Sequence, residues 1–459
     1  MAQIDYSSSR ITINIIKTAV PMLVAQMFNL LYSIVDRVYI GRIPGIGAEA
    51  LGAVGLCFPI IMIITAFTNL FGSGGAPLFS IELGKGNREE ADLLMCTAFT
   101  LLFWCSLFLL AAGEVFAAPI LRLIGALDAD TLRVGLTYLR VYLLGTVFQM
   151  TALGMNPYIN AQGFPGVGMR TIVVGAAANT VLDPIFIFVF GMGIRGAAAA
   201  TVISQLLSCV SALHFLLKPG TPYRVRLLGR LELSRRRILG ICGLGASSFV
   251  ISGTNSLVQL SCNSVLVRVG GPLYLSVMTI VSSVRQLFDM PAIAFTDGAS
   301  PVMSFSYGAG RGDRVLKAIR VATLITLFYT AVVWILILLF PESFISIFSR
   351  DRTVVEAAVP ALHIYFFAFV FMAFQVCGQM AFRALGKKKR TIFFSLLRKA
   401  FIVVPLTYVF PLVFGMGTKG VFLAEPVSNV IGGSACFITM LLTVVPELRA
   451  MSGAQGREP

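Results

Sequence analysis

A series of apolar runs, each about 20 residues long, constrains the fold of this 459-residue chain more than any other feature. Examples are residues 96–113, 323–340 and 422–445. A helix needs about 20 residues to cross the ~30 Å hydrocarbon core of a bilayer. Only 12% of the residues are charged, whereas a soluble domain carries about 25%. The runs therefore predict an all-α membrane protein that crosses the bilayer many times.

The charges between these runs predict the orientation of the chain, because cytoplasmic loops retain Lys and Arg. If both termini are cytoplasmic, the inner segments hold 25 of the 36 basic residues, including a linker at 218–238 and the segment 383–399. We therefore expect cytoplasmic N- and C-termini and an even number of spans. The twelve predicted spans are 17–41, 52–76, 93–113, 133–160, 171–190, 195–217, 240–268, 273–303, 316–340, 356–384, 391–414 and 420–446.

The sequence also repeats itself once, at an offset of about half the chain. The same four residues occur at Phe190-Gly191-Met192-Gly193 and again at Phe414-Gly415-Met416-Gly417. Two loop motifs also recur in the same order. Six spans per copy make the repeat parallel, and substrate is then expected at the interface between the halves. We predict a six-helix bundle with the basic linker in residues 1–228 and a second six-helix bundle in 229–459.

Polar and acidic residues inside the spans of the first half mark a candidate site, because an ionisable residue at bilayer depth needs a partner or a function. Asp36 shares a helical face with Asn29 and Tyr32 in the first span. Asn179 and Asp183 lie at i, i+4 in the fifth span, and Thr201 lies in the sixth. These oxygen donors suit a hard cation such as Na⁺. They suit equally a proton shared by two carboxylates that repel each other.

Structural explanations for the same residues remain open at this point. Asp36 is followed by Arg37, so the two side chains could form an ion pair at the end of a span. Asp183 precedes Pro184 and could cap a broken helix. Neither explanation accounts for the presence of both carboxylates in one half.

The second half lacks the carboxylates at the equivalent positions. Aligning the copies places Asn263, Val403 and Thr407 opposite Asp36, Asn179 and Asp183. Glu425 falls opposite Thr201, and it could serve as a coupling site, as a counter-charge in a substrate cavity, or as a partner of Asn429. Arg285 is a plausible salt-bridge partner for Asp289, four residues later.

Several functional classes find no support in the sequence. The basic excess of +15 lies in predicted loops without interleaved aromatic residues, so no nucleic-acid partner is expected. The chain has no Walker A loop, H-E-x-x-H motif or G-x-S-x-G elbow, so neither ATP nor an enzyme activity is expected. No cofactor is expected beyond the coupling ion.

In combination, four features of the sequence resemble the multidrug and toxic compound extrusion (MATE) family. They are the motif Asp36-Arg37-Val38-Tyr39-Ile40-Gly41, the pair Asn179 and Asp183, the loop Asn160-Ala161-Gln162-Gly163 and the duplicated twelve-span layout. The likeness runs from about Ile15 to Val445 and is strongest to the bacterial MepA-like branch. It implies a V-shaped pair of pseudo-symmetric six-helix bundles around a central cavity.

The resemblance also implies residue roles. An N-half cation site, binding H⁺ or Na⁺, would use Asp36, Asn179, Asp183 and Thr201; these four would be the metal ligands only if the ion is sodium. A span-four asparagine would join it, for which Asn156 is our choice and Asn160 the rival. Pro21 would allow the first helix to bend, and Asn29, Tyr32 and Glu425 are candidates for the substrate cavity.

The resemblance predicts an antiporter of the bacterial plasma (inner) membrane that exports cationic amphipathic drugs by alternating access. We expect its partners to be small organic cations and membrane lipid, and we expect a monomer. The alternative is a lipid-linked oligosaccharide flippase of the same superfamily. Such flippases usually have about fourteen spans and a basic cavity, which the twelve spans and the intramembrane acids do not favour.

Overall fold

The computed structural model describes residues 3–124, 129–218, 221, 223–230, 232–349 and 351–455. Within these residues the chain is helical almost throughout, and no β-strand occurs. A helix satisfies its own backbone N–H and C=O groups, which a segment in lipid must do because no water is available. The predicted all-α class is confirmed.

The helices of the first part of the chain end just before the basic linker. A π-helical segment, Ile185–Val189, follows the sixth helix. The helices are α1 (Ile11–Gly41), α2 (Gly47–Gly84), α3 (Arg88–Ile124), α4 (Ala129–Leu144), α5 (Thr146–Ala161), α6 (Pro165–Pro184) and α7 (Gly193–Leu217).

The helices of the second part include three further π-helical segments, at Leu397–Val403, Val409–Val413 and Asn429–Gly433. The helices are α8 (Arg235–Gly308), α9 (Gly312–Leu339), α10 (Pro341–Ile345), α11 (Arg352–Phe366), α12 (Phe371–Ala384), α13 (Lys388–Leu396), α14 (Val404–Tyr408), α15 (Gly417–Ser428) and α16 (Ser434–Gln455).

Helix α8 consists of two helices joined at Gly271. Gly271 adopts φ 68° and ψ −168°, a conformation that glycine reaches because it has no Cβ. The break falls between two predicted spans, 240–268 and 273–303. The structure therefore separates them at the expected place.

Nine helices of the described residues are long and apolar enough to cross a membrane, and α11 with α12, bent by 50°, makes a tenth. Two further helical stretches lie at predicted spans without meeting that test. They are the pair α4 and α5, which meet at Gly145, and the part of α8 after Gly271. Helices thus occupy all twelve predicted positions.

Large apolar side chains on the helix surfaces are consistent with a lipid environment. Leu123, Val189 and Phe328 are 88%, 75% and 74% exposed. Soluble monomeric proteins rarely expose extended apolar surface of this kind.

The chain forms two compact units. Unit 1 comprises Met1–Ile4, Pro21–Glu82 and Asn87–Gly245, and unit 2 comprises Asp5–Val20, Leu83–Gly86 and Ala246–Pro459. Helices α1, α2 and α8 each contribute residues to both units, and within α1 the change comes at Pro21. The division at residue 228 describes the sequence repeat and stays a prediction, as does the bending role of Pro21.

A buried acidic cluster as the candidate functional site

Three helices of unit 1 hold the acidic cluster: α1 supplies Asp36, the end of α6 supplies Asn179 and Asp183, and α7 supplies Thr201. Helices α6 and α7 pack along each other. Helix α6 ends at Pro184, and a π-helical segment follows. Proline has no backbone N–H to donate to the preceding turn. Local departures of this kind are frequent at functional sites.

Hydrogen bonds join Asn179 to both of its predicted neighbours. Its Nδ2 donates to Asp183 Oδ1 at 3.1 Å and to Thr201 Oγ1 at 3.4 Å. The Thr201 hydroxyl donates in turn to the carbonyl oxygen of Ala197 at 3.0 Å, so its lone pairs are available to Asn179. Asp183, Asn179 and Thr201 are buried.

The carboxyl groups of Asp36 and Asp183 interact directly, and the Tyr32 phenol interacts electrostatically with both. Three oxygens of this cluster are buried without a hydrogen-bond donor: Asp36 Oδ1, Asp183 Oδ2 and Asn179 Oδ1. An unpaired buried oxygen is costly, and more so when it carries charge. The cluster is therefore short of positive charge or protons.

The donor set fits a proton or Na⁺. Two carboxylates and neutral oxygens are the ligands that a hard cation takes. Among the described residues no three His, Cys, Asp or Glu side chains are grouped as metal ligands. A closed zinc site would typically use four such ligands.

The two structural explanations for these residues do not account for the contacts. Arg37 interacts electrostatically with Asp36, but its guanidinium lies 5.6 Å from the centre of the Phe58 ring, and Asp36 Oδ1 has no hydrogen-bond partner. The Asp183 carboxylate accepts a side-chain hydrogen bond from Asn179 within the helix. Asp183 therefore lies at the end of α6 and also belongs to the polar cluster, so the helix end alone does not explain its contacts.

A cavity in unit 1 connects the predicted substrate residues with the cluster. The cavity volume is ≈ 60 Å³, enough for several water molecules. Asn29 and Tyr32, predicted cavity residues, line it together with Asn179 and Thr201. The remaining lining residues are Gln149, Ala152, Leu153, Ile172, Gly175, Ala176, Ser204, Gln205 and Ser208.

Four polar residues of this region were missed by sequence reasoning. Tyr138 and Tyr142 stack with ring centres 5.9 Å apart, and both lie near Asp36. The Tyr142 hydroxyl donates to Gln149 Oε1 at 2.9 Å, and Gln205 Nε2 donates to the same oxygen at 3.3 Å. The i, i+4 spacing of the tyrosines inside an apolar span could have indicated them.

The structure places Asn156 in a polar group separate from the acidic cluster, and its role in cation coupling stays a prediction. Its Nδ2 donates to the carbonyl oxygen of Gly168 at 2.8 Å and to Thr171 Oγ1 at 3.0 Å. Thr171 precedes Asn179 by eight residues, about 12 Å along a helix. The rival Asn160 donates to Asn156 Oδ1 at 3.1 Å and belongs to the same separate group.

Glu425 belongs to unit 2 and does not line the cavity of unit 1. Its Oε1 accepts hydrogen bonds from Arg398 Nη1 and Lys399 Nζ, each at 2.9 Å, and lies 3.2 Å from Arg285 Nη2. The predicted pair of Arg285 and Asp289 is confirmed at 3.2 Å. The assignment of Arg398 and Lys399 to a basic cytoplasmic segment is corrected, since both pair with a buried acid.

The chain is similar to known membrane transporters. The MatE family model matches residues 21–185 and 248–409. The multidrug export protein MepA of Staphylococcus aureus (strain N315) is 22% identical over 429 residues, covering 93% of this chain and 92% of the relative. An FAD transporter of Shewanella oneidensis is 23% identical over 430 residues, covering 92% and 93% respectively.

A solved structure shares the fold. It is described as the outward-facing conformation of a multidrug resistance MATE family transporter of the MOP superfamily. It superposes with a TM-score of 0.88 at 22% identity and covers 96% of this chain and 97% of its own. The predicted twelve-helix architecture is thereby confirmed.

Proposed function

The chain belongs to the MatE family, and from that premise we propose that it is a cation-coupled antiporter that exports organic cations across the bacterial plasma membrane. Family membership confirms the resemblance drawn from the sequence motifs, and it makes the protein a multi-pass transporter rather than an enzyme. The coupling ion, the alternating-access mechanism and the substrate class are the proposal.

The observation that supports cation coupling is the set of buried oxygens without donors in the acidic cluster. Asp36 and Asp183 face each other, and each keeps one carboxylate oxygen unpaired. Binding of H⁺ or Na⁺ at these two residues would relieve their repulsion and satisfy those oxygens. Asn179 and Thr201 would supply neutral oxygens, and the Asn179 amide holds Asp183 in place.

Antiport follows if the coupling ion and the drug prefer different conformations of the protein. A ligand shifts a conformational equilibrium only through its difference in affinity for the two states. Asp36 and Asp183 with the coupling ion bound would favour one state, and drug binding would favour the other. Once free of the ion, the same carboxylates would attract a cationic drug.

The relatives do not by themselves identify the substrate, since one is named a multidrug export protein and another an FAD transporter. The carboxylates of the acidic cluster, which adjoins the neutral unit 1 cavity through Asn179 and Thr201, support organic cations. Tyr32 and the carbonyl oxygens of Asn29 and Gln149 could also contact a positively charged aromatic ring.

Transport of ethidium in proteoliposomes, with a pH gradient and a Na⁺ gradient imposed separately, tests the proposal. One of the two gradients is expected to drive ethidium transport by the wild-type protein. Asp36→Asn and Asp183→Asn are each expected to reduce it to the level of protein-free liposomes, because either substitution removes a charge that the coupling ion requires. Asp130→Asn, the same change at an exposed position of unit 1, is the matched control and should transport normally.

Wild-type transport by Asp36→Asn or Asp183→Asn would refute the site, provided that the folded yield is unchanged. Ethidium transport at the same rate with and without either gradient would refute cation coupling.

We also propose that both termini are cytoplasmic and that the protein acts as a monomer. Reporter fusions at each terminus and the mass of the purified particle in nanodiscs test these two points.

A further inference from the structure

A second buried polar cluster lies in unit 2, and export by the acidic site makes no use of it. Its members are Arg285 and Asp289 on α8, Arg398 and Lys399 on the π-helical segment Leu397–Val403, and Glu425 on α15. Lys399 is the twelfth residue of the candidate span Lys388–Val413. At ~1.5 Å per residue it lies about 16 Å from the end of the span, near the bilayer midplane.

This cluster carries more positive than negative charge. Glu425 Oε1 is shared by Arg285, Arg398 and Lys399. Arg285 contacts both carboxylate oxygens of Asp289 as well. Three cations and two carboxylates leave one positive charge without a counter-charge among these contacts. A charge at bilayer depth is costly when unpaired, so an added anion would be stabilised there.

Asn429 adjoins the cluster, because its Oδ1 accepts a hydrogen bond from Arg398 Nη1 at 2.7 Å. Two N–H donors of this region have no acceptor. Arg285 is 6% exposed and Asn429 is fully buried, yet Arg285 Nη1 and Asn429 Nδ2 lack a hydrogen-bond partner. Glu425 Oε2 is also unpaired, so the two donors do not reach it. Buried N–H groups usually have partners, and an unmet arginine N–H next to excess positive charge is suited to an oxyanion.

The repeat relates this cluster to the cavity of unit 1. Aligning Gly191 with Gly415 places Lys399, Glu425 and Asn429 opposite Gly175, Thr201 and Gln205, which all line that cavity. The polar centre of unit 2 therefore occupies the position that serves as a cavity wall in unit 1. Charged residues stand there in place of small and neutral ones.

We propose that Arg285, Arg398 and Lys399 form a site in unit 2 for an oxyanion group, a carboxylate or phosphate, of a transported molecule. The proposal rests on the export function proposed above and extends its substrates to molecules that carry both a cationic and an anionic group. Arg285 also lies over the rings of Tyr365 and Phe369, at 5.4 and 5.7 Å. These rings would contact the apolar part of such a molecule.

A matched pair of fluorescent probes tests the site: a zwitterionic rhodamine carboxylic acid and its methyl ester, which is a cation only. Binding of each probe to the purified full-length protein is measured by fluorescence anisotropy. Lys399→Gln removes the excess charge and keeps a donor for Glu425. It is expected to weaken binding of the acid about tenfold, the loss of one charge-assisted contact, and to leave binding of the ester within about twofold.

Two further variants separate charge from folding. Lys399→Arg keeps the positive charge and should restore binding of the acid. Lys419→Gln removes an exposed lysine of the same unit and should bind both probes as the wild type does. Equal weakening of both probes in Lys399→Gln, or no change in either, would overturn the proposal. Failure of wild-type protein to transport the ester would instead refute the export function.

Discussion

The two buried polar clusters share one equivalent position in the repeat, Thr201 opposite Glu425, and differ in how their charge is balanced. In unit 1, the carboxyl groups of Asp36 and Asp183 interact with each other, and each has one buried oxygen without a hydrogen-bond donor. In unit 2, Glu425 contacts three cations, and one of them, Arg285, also contacts Asp289. The first cluster therefore has an excess of acidic groups, and the second has an excess of basic groups.

This difference explains why buried acids in the two halves should not be interpreted alike. A carboxylate surrounded by arginine and lysine is costly to disturb and contributes to the stability of the packed unit. A carboxylate that faces a second carboxylate stabilises the fold little, because the two repel each other when both are charged. The proposed coupling ion would relieve that repulsion. Charge balance, more than burial, separates a structural acid from a candidate coupling residue.

The largest expected effect is on stability, when one acid of each cluster is replaced by its amide. Glu425→Gln would remove the counter-charge that Arg285, Arg398 and Lys399 share, which would leave Asp289, a partner of Arg285, to balance three cations. The variant should destabilise the folded protein by about 3–5 kcal/mol. Asp183→Asn should not lower stability, because it removes a repulsion. The melting temperature of the detergent-purified protein measures both, with Glu356→Gln, an exposed acid of unit 2, as the control. Equal melting temperatures for the Glu425 and Asp183 variants would contradict the distinction.

A smaller effect is expected for the amide that connects the acidic cluster. Asn179→Ala removes the donor to Asp183 Oδ1 and the contact with Thr201. A hydrogen bond to a charged group is worth about 1.5–3 kcal/mol, so the half-saturating concentration of the coupling ion should change about tenfold or more. Ion-dependence curves of ethidium transport measure this. An unchanged curve would place Asn179 outside the coupling site.

The smallest effect on coupling is expected for Asn156, which the structure separates from the acidic cluster. Asn156→Ala loses its hydrogen bonds to Gly168 and Thr171 and should cost about 1 kcal/mol in stability. Its ion-dependence curve should match that of the wild-type protein. A shift like that of Asn179→Ala would restore Asn156 to the cation site and extend the cluster towards α5.

Much of the candidate site in unit 1 could be predicted because its signals are local. Asn179 and Asp183 are four residues apart on one helix, and their contact follows from the helical period. Tyr142, Gln149 and Gln205 escaped prediction because their hydrogen bonds join α4, α5 and α7, and single-sequence periodicity carries no information about which helices meet. The same limit made Asn156 and Asn160 indistinguishable as candidates.

The sequence by itself determined the membrane class, the twelve helical positions and the presence of two acids at bilayer depth. Apolar runs of bilayer length and their interruption by carboxylates are properties of neighbouring residues. Only the tertiary structure decided the partners of each charge. Arg398 and Lys399 adjoin a basic segment in the chain but contact Glu425, 27 and 26 residues away. Helix packing sets such distant contacts, so the charge balance of each cluster could be known only from the folded protein.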